Sequence, residues 1–319
     1  MRFFEVFVVM LAILSVGANK DELRVEDFVK QHLNSIGTDQ ARAEVKSRAA
    51  QGTLSFQVQN ESTGRQDGKE VLVSEGDKLV SLLKLPNPSY HGERFVSDGK
   101  RTLIAEVRPG VYSGLGQFIM VHNEILTEGL WGGTLSTGWP LAHLDERNAK
   151  LQDRGLKKVD GRELRRVDYS PKKHTDLGIQ LYFEPDTFRH VMTVYLLTIT
   201  PPMGHGEVAT GRGQETRYRL EERFADFKRV DNLNLPERWT IQFTAEVPVG
   251  SMANSSCSGA LTGSEACGLG GGESSTGAAG TTISTRGAGA GSSPIDQFEV
   301  IVTNISNNVP LDPKNFEVK

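Results

Sequence analysis

The sequence predicts an α+β protein, a curved antiparallel sheet packed on a few helices. Three observations predict it. Helical spacing of apolar residues at the start gives way to alternation. Turn signals separate the strand-length runs. Helical spacing then returns in the middle of the chain before a mostly extended second half.

Leu23 to Ile36 reads as an amphipathic helix, with Val25, Phe28, Val29, His32, Leu33 and Ile36 on one face and Gly37 suited to end it. Thr38 to Arg48 reads as a second helical stretch with Thr38 as N-cap. Leu54, Phe56 and Val58 then alternate with Ser55, Gln57 and Gln59, a strand with one wet face. Further strands are expected at Val71 to Val73, Lys78 to Leu85, Arg94 to Ser97 and Thr102 to Val107. Asp98-Gly99 between two of them is the strongest hairpin signal.

Leu115, Phe118, Ile119, His122 and Leu126 restore helical spacing, followed by a Gly-rich connection around Trp131 and Trp139. Pro140 is expected to open another helix, carried by Leu141, Leu144 and Leu151 and ended near Gly155. Beyond it, Ile179, Leu181 and Phe183 alternate. His190 to Thr200 reads as a strand covered on both faces. Tyr218, Leu220 and Phe224 mark another strand, Trp239, Ile241, Phe243, Ala245 and Val247 form the clearest period-two series, and Phe298, Val300 and Val302 supply the last strand.

The first eighteen residues carry the features of an export signal. Arg2 precedes the apolar run Val6 to Val16, and Val16-Gly17-Ala18 offers a small-residue cleavage pattern. The run is too short to span a bilayer, and no later stretch approaches the roughly 20 apolar residues a spanning helix needs. The expectation is one domain over 19–319, periplasmic or secreted, after a signal at 1–18. Residues 250–294, dominated by Gly, Ser, Ala and Thr, read as a flexible loop within it. Cys257 and Cys267 either close a small loop in an oxidising compartment or remain two thiols. A net charge of -4 gives no sign of a nucleic-acid partner.

Three blocks resemble the periplasmic lipoprotein-carrier superfamily, the LolA/LolB-like fold, and its outer-membrane lipoprotein-sorting-like members. The first, Val25 to Phe56 (VEDFVKQHLNSIGTDQARAEVKSRAAQGTLSF), places helix, Gly break, helix and strand. The second, Asp176 to Tyr195 (DLGIQLYFEPDTFRHVMTVY), is a strand, a turn at Glu184-Pro185-Asp186-Thr187 and a returning strand. The third, Arg219 to Ile241 (RLEERFADFKRVDNLNLPERWTI), is a strand, a turn ending at Leu235-Pro236 and another strand. The resemblance implies an incomplete β-barrel whose apolar hollow accepts acyl chains, and hence a non-enzymatic carrier for a hydrophobic ligand or lipoprotein, with transient contact to envelope proteins. No family residue maps onto a position here. Strand parity alone nominates Leu54, Phe56, Val58, Leu181, Phe183, Ile241 and Phe243 as ligand-facing. The same residues also read as ordinary core packed on the helices.

Signatures of catalysis are missing from the sequence. There is no HExxH pair, no GxSxG elbow and no GxxxxGK[ST] phosphate loop. His122 with Glu124 and His174 with Asp176 read as solvated pairs rather than metal-site fragments. Neither a metal nor a cofactor is expected. Arg162, Arg165 and Arg166 form a basic cluster that fits either a lipid head group or a solvated strand edge. Glu222 and Asp226 share the parity of Leu220 and Phe224. They read as a paired acid/base site or, preferably, as a bulge or wet strand rim. Two other functions stay open: a secreted hydrolase with a site between Trp131 and His143, and an assembly partner offering a sheet edge.

Overall fold

The structure, a computed structural model, describes residues 24–59, 64–88, 90–200, 215–246 and 295–318. The expected export signal, the Cys257 and Cys267 pair and the 250–294 segment lie outside the described residues. No helix among the described residues is long and apolar enough to cross a membrane.

Two helices open the described chain, α1 (Val25–Ile36) and α2 (Asp39–Glu44). Phe28, His32 and Ile36, spaced by four, form the buried stripe of α1. The Thr38 hydroxyl caps α2 by accepting from Ala41 N at 3.2 Å, which satisfies one of its orphan amides. Five strands follow: β1 (Ser47–Gln59), β2 (Gln66–Glu75), β3 (Lys78–Lys84), β4 (Gly92–Ser97) and β5 (Thr102–Glu106). A connector then carries α3 (Gly114–Val121), α4 (Glu124–Thr127), two 3₁₀ turns at Gly133–Leu135 and Pro140–His143, and α5 (Leu144–Arg147). The remaining strands are β6 (Lys150–Val159), β7 (Arg162–Ser170), β8 (Gly178–Phe183), β9 (His190–Ile199), β10 (Thr216–Val230), β11 (Leu233–Glu246) and β12 (Ile295–Asn307).

All twelve strands lie in one sheet in the order β5-β4-β3-β2-β1-β12-β11-β10-β9-β8-β7-β6, and every neighbouring pair is antiparallel. The sheet does not close. β5 and β6 are its two edges, and the connector bridges them in sequence. The incomplete barrel on a few helices is therefore present.

Local chemistry explains the turns. Asp98 Oδ1 accepts from Lys100 N at 2.9 Å and Arg101 N at 2.7 Å, and Gly99 takes φ 89°, so the predicted hairpin joins β4 to β5. Asp231 and Asn232, both at positive φ, close the β10–β11 hairpin. That corrects the turn expected to end at Leu235-Pro236, since both residues lie inside β11. Pro236 sits opposite Phe227, next to the skipped Asp226, where a missing N–H is tolerated.

The helix expected from Pro140 to Gly155 is also corrected. Pro140 opens only a 3₁₀ turn, α5 stops at Asn148 in the left-handed region, and Leu151 is already in β6. Gly155, expected to end that helix, is a bulge residue at φ 68° where β6 slips register against β7. In β9, His190 through Tyr195 are buried without a break, so this part is covered on both faces as expected. Tyr195 and Leu197 join the main core, while Met192 and Val194 belong to an outer cluster with Leu164 and Tyr182.

Candidate ligand-binding face

Strand register brings six of the seven parity-nominated residues into three adjacent rows on the concave face. One row runs Leu54, Val300, Trp239, Phe224. The next runs Phe56, Phe298, Ile241, Glu222, Thr193, Leu181. The third runs Val58, Asp296, Phe243, Leu220, Tyr195, Ile179. Phe183, the seventh, lies two residues beyond Leu181 and opposite His190, past a register shift. Six of the seven are buried and Val58 is half-buried.

Side chains of α1 and the connector cover this face. Phe28 meets Phe183 edge-on at 4.8 Å between ring centres, and Phe118 of α3 lies 5.3 Å from Phe243. Trp131 packs edge-on against Trp239 at 5.1 Å, and Trp139 lies 4.5 Å from His190. Leu115, Ile119, Ile125, Leu126, Leu130 and Leu135 fill the space between them, each at most 1 % exposed. As described, the surface nominated for an acyl chain is thus occupied by the chain's own connector.

The connector is fastened at a few polar points rather than by strand pairing. Glu222 of β10 accepts from Gly132 N at 2.9 Å and Trp239 Nε1 at 3.0 Å through Oε1, and from the Tyr195 hydroxyl at 2.8 Å through Oε2. Gly132 and Gly133 hold positive φ there, and a Cβ on Gly133 would strike the Phe224 ring. Glu93 of β4 performs the same task at the start of α3. It accepts from Ser113 N at 2.6 Å, Ser113 Oγ at 2.8 Å and the Tyr90 hydroxyl at 3.1 Å. Burial pushes each carboxyl up to about 7, and each set of donors pulls the other way.

Arg48 of β1 donates to Thr134 O at 2.8 Å and Asn307 Oδ1 at 2.8 Å, and burial draws its guanidinium down to about 10. Thr137 N donates to Ser74 Oγ at 2.9 Å. His32 Nε2 accepts from Trp139 Nε1 at 2.9 Å, which leaves Nδ1 to donate to Phe188 O at 2.9 Å. That assigns a neutral ring, in accord with a pKa lowered to about 4 by burial.

The Glu222 and Asp226 expectation divides. Asp226 makes no ladder pair but the β10–β11 register runs on unshifted past it, so it is no bulge; at φ 55°, exposed and paired with Arg238 at 2.7 Å, it is a wet strand position. Glu222 instead follows its parity into the core, fully buried, and the two carboxylates form no pair. Glu93, Glu70 and Arg48 were not nominated. Each shares parity with a buried neighbour two residues away (Phe95, Leu72 and Ala50), a signal that appears once the strands are drawn to full length. Glu70 differs from the others because both its carboxyl oxygens are buried without a hydrogen-bond partner among the described residues.

His122 is buried rather than solvated, with Nδ1 3.3 Å from Glu124. No group of three or more His, Cys, Asp or Glu among the described residues could hold a metal ion. In the proposed hydrolase region, His143 Nε2 faces the Thr137 carbonyl at 3.3 Å and Nδ1 faces Glu146 at 3.7 Å, so its neighbours are a backbone oxygen and a surface carboxylate.

No family model and no curated protein matches the chain. Solved structures do. A domain described as outer-membrane lipoprotein-sorting, from Vibrio parahaemolyticus, is 11 % identical, covers 91 % of this chain and 96 % of its own, and has a TM-score of 0.40. A DUF1329 family protein from Desulfovibrio piger is 11 % identical over 92 % of this chain and 97 % of its own, also at 0.40. The LolA superfamily protein NE2245 from Nitrosomonas europaea is 8 % identical over 92 % and 97 %, again at 0.40. At these identities nothing about ligand or partner passes to this chain. Of these three, NE2245 carries the superfamily name that the sequence resemblance named.

Proposed function

We propose that this protein is a non-catalytic binding protein that accepts a hydrophobic ligand, such as the acyl chain of a lipoprotein, on the concave face of its sheet outside the cytoplasm. The observation that supports this reading is how the face is covered. A broad apolar surface is closed by short, broken helical pieces held at isolated polar points, not by strands hydrogen-bonded into the sheet. Displacing residues 113–147 breaks those fastenings and the apolar packing of the connector against the sheet, and leaves the sheet ladder intact. An acyl chain would then replace Phe118, Trp131 and Trp139 against Phe243, Trp239 and His190, one apolar partner for another.

The test uses the three tryptophans, all buried at the connector and sheet junction. Titration with a fluorescent fatty acid should show saturable binding, a shift in tryptophan emission and faster hydrogen exchange in residues 125–138. Purified protein that yields no lipid on solvent extraction, binds no fatty acid and keeps those amides protected would refute the carrier reading.

A further inference from the structure

The basic cluster at 162–166 resolves into three different environments. Arg165 pairs with Asp153 at 3.1 Å and Arg166 with Asp168 at 2.7 Å. Arg162 is exposed and has no carboxylate partner among the described residues. It borders a cavity of about 160 Å³ whose walls include Leu164, Val191 and Met192, with Arg223 and Arg238 on the rim and no acidic residue in the lining.

Both of those arginines are anchored from behind. Arg223 holds Glu221 through Nε and Asp160 through Nη1, the latter at 2.6 Å. Arg238 holds Asp226 through Nε at 2.7 Å and Glu299 through Nη1 at 3.2 Å. These pairs fix the guanidinium planes, and Nη2 of each has no carboxylate partner among the described residues. Leu164, Val191 and Met192 belong to the separate outer cluster, and Phe224 is the one lining residue that the cavity shares with the concave-face rows.

We infer that this notch binds the anionic head and first carbons of a small amphiphile, its carboxylate or phosphate held by Arg162 with Arg223 and Arg238, its alkyl stem lying against Leu164, Val191 and Met192. Size sets the stem length. An engineered apolar cavity of about 150 Å³ takes one benzene molecule, so about six carbons fit here. Both the three rim cations and the apolar wall are required for recognition, which separates this ligand from a free anion or a neutral alcohol.

The experiment follows the ε-methyl signal of Met192 in ¹³C-methionine-labelled full-length protein, assigned with Met192→Leu. Hexanoate and hexyl phosphate should each shift that signal saturably, and their comparison identifies the preferred head. Inorganic phosphate and hexan-1-ol should bind at least tenfold more weakly. Arg162→Ala, at an exposed position, should weaken the favoured ligand at least tenfold with the urea midpoint unchanged. No Met192 shift, an affinity unaltered in Arg162→Ala, or inorganic phosphate equal to hexyl phosphate would each overturn the inference. Amphiphile binding on the concave face would move other signals and be indifferent to Arg162, so the two proposals fail separately.

Discussion

Glu222 and Glu70 are both buried on the concave face, one on β10 and one on β2, and their surroundings are opposite. Glu222 receives three donors from β9, β11 and the connector, whereas Glu70 receives none among the described residues. Burial raises both, but Glu222 only to about 7 and Glu70 well above the carboxylate range. Glu93 shows that the half of the sheet is not what decides. It lies two strands from Glu70 and is still satisfied, because α3 starts beside it. Among the described residues, a buried acid on the concave face is therefore a fastening where the connector lands and an uncompensated neutral group where it does not.

Removing the fastening should have the largest effect. Glu222→Ala strands three buried donors at about 1–3 kcal/mol each, partly offset by loss of a desolvated carboxyl, so a net loss of about 3–5 kcal/mol is expected in urea denaturation. Glu222→Gln, which keeps an acceptor, should lose less than half of that. Equal losses for the two variants would show that shape, not hydrogen bonding, holds Gly132.

The pH dependence comes next. The native Glu222 carboxyl keeps its proton to about 7, while its unfolded counterpart releases it near 4.5. Between those values the native state binds more protons, so the contribution of Glu222 is full below 4.5 and is lost as pH rises through 7. The loss amounts to about 3 kcal/mol. His32 acts in reverse. Its native pKa near 4 lies below the ordinary 6.5, so its contribution is lost as pH falls between those values. Glu93, also raised to about 7, and Glu70, raised by burial, add to the loss with rising pH, while His190, lowered by burial, acts with His32, which is why the difference between wild type and Glu222→Gln is the quantity to measure. A difference flat from pH 4.5 to 7 would contradict the assignment.

Arg48→Met should cost about 2 kcal/mol by leaving the Thr134 carbonyl unpaired, and should red-shift tryptophan emission as the Gly133–Leu135 turn loosens. The smallest effect, and the only gain, is expected from Glu70→Leu. Replacing an unpartnered carboxyl by an apolar side chain should raise stability by about 1–2 kcal/mol. A fall in the urea midpoint would mean that Glu70 has a partner in solution and that the contrast with Glu222 is false.

The sheet was readable because alternation is a local signal. Leu54, Phe56, Ile241 and Phe243 announce one face without reference to anything distant. Parity even placed Glu222 inward, but its donors come from Gly132, Tyr195 and Trp239, and no local pattern reports partners so far apart in the chain. The stretch from Pro140 to Gly155 misled for the converse reason. Leu141, Leu144 and Leu151 fall at helical offsets by chance across a boundary, and Gly155 reads alike as a helix stop and as a bulge. The connector's cover of the concave face was illegible because it depends on how two sheet edges are bridged, which periodicity does not encode.

One feature of the topology bears on how the molecule is made. The first and last strands are partners at the centre of the sheet, with Leu54 opposite Val300, so the two flanking meanders share a seam between distant parts of the chain. Neither side can complete its hydrogen bonding until β12 has been synthesised. Such late closure of a long loop slows folding and leaves the rims of β1 and β11 exposed to wrong pairing in the meantime. Truncation inside β12 would accordingly split the sheet down its middle rather than trim an edge.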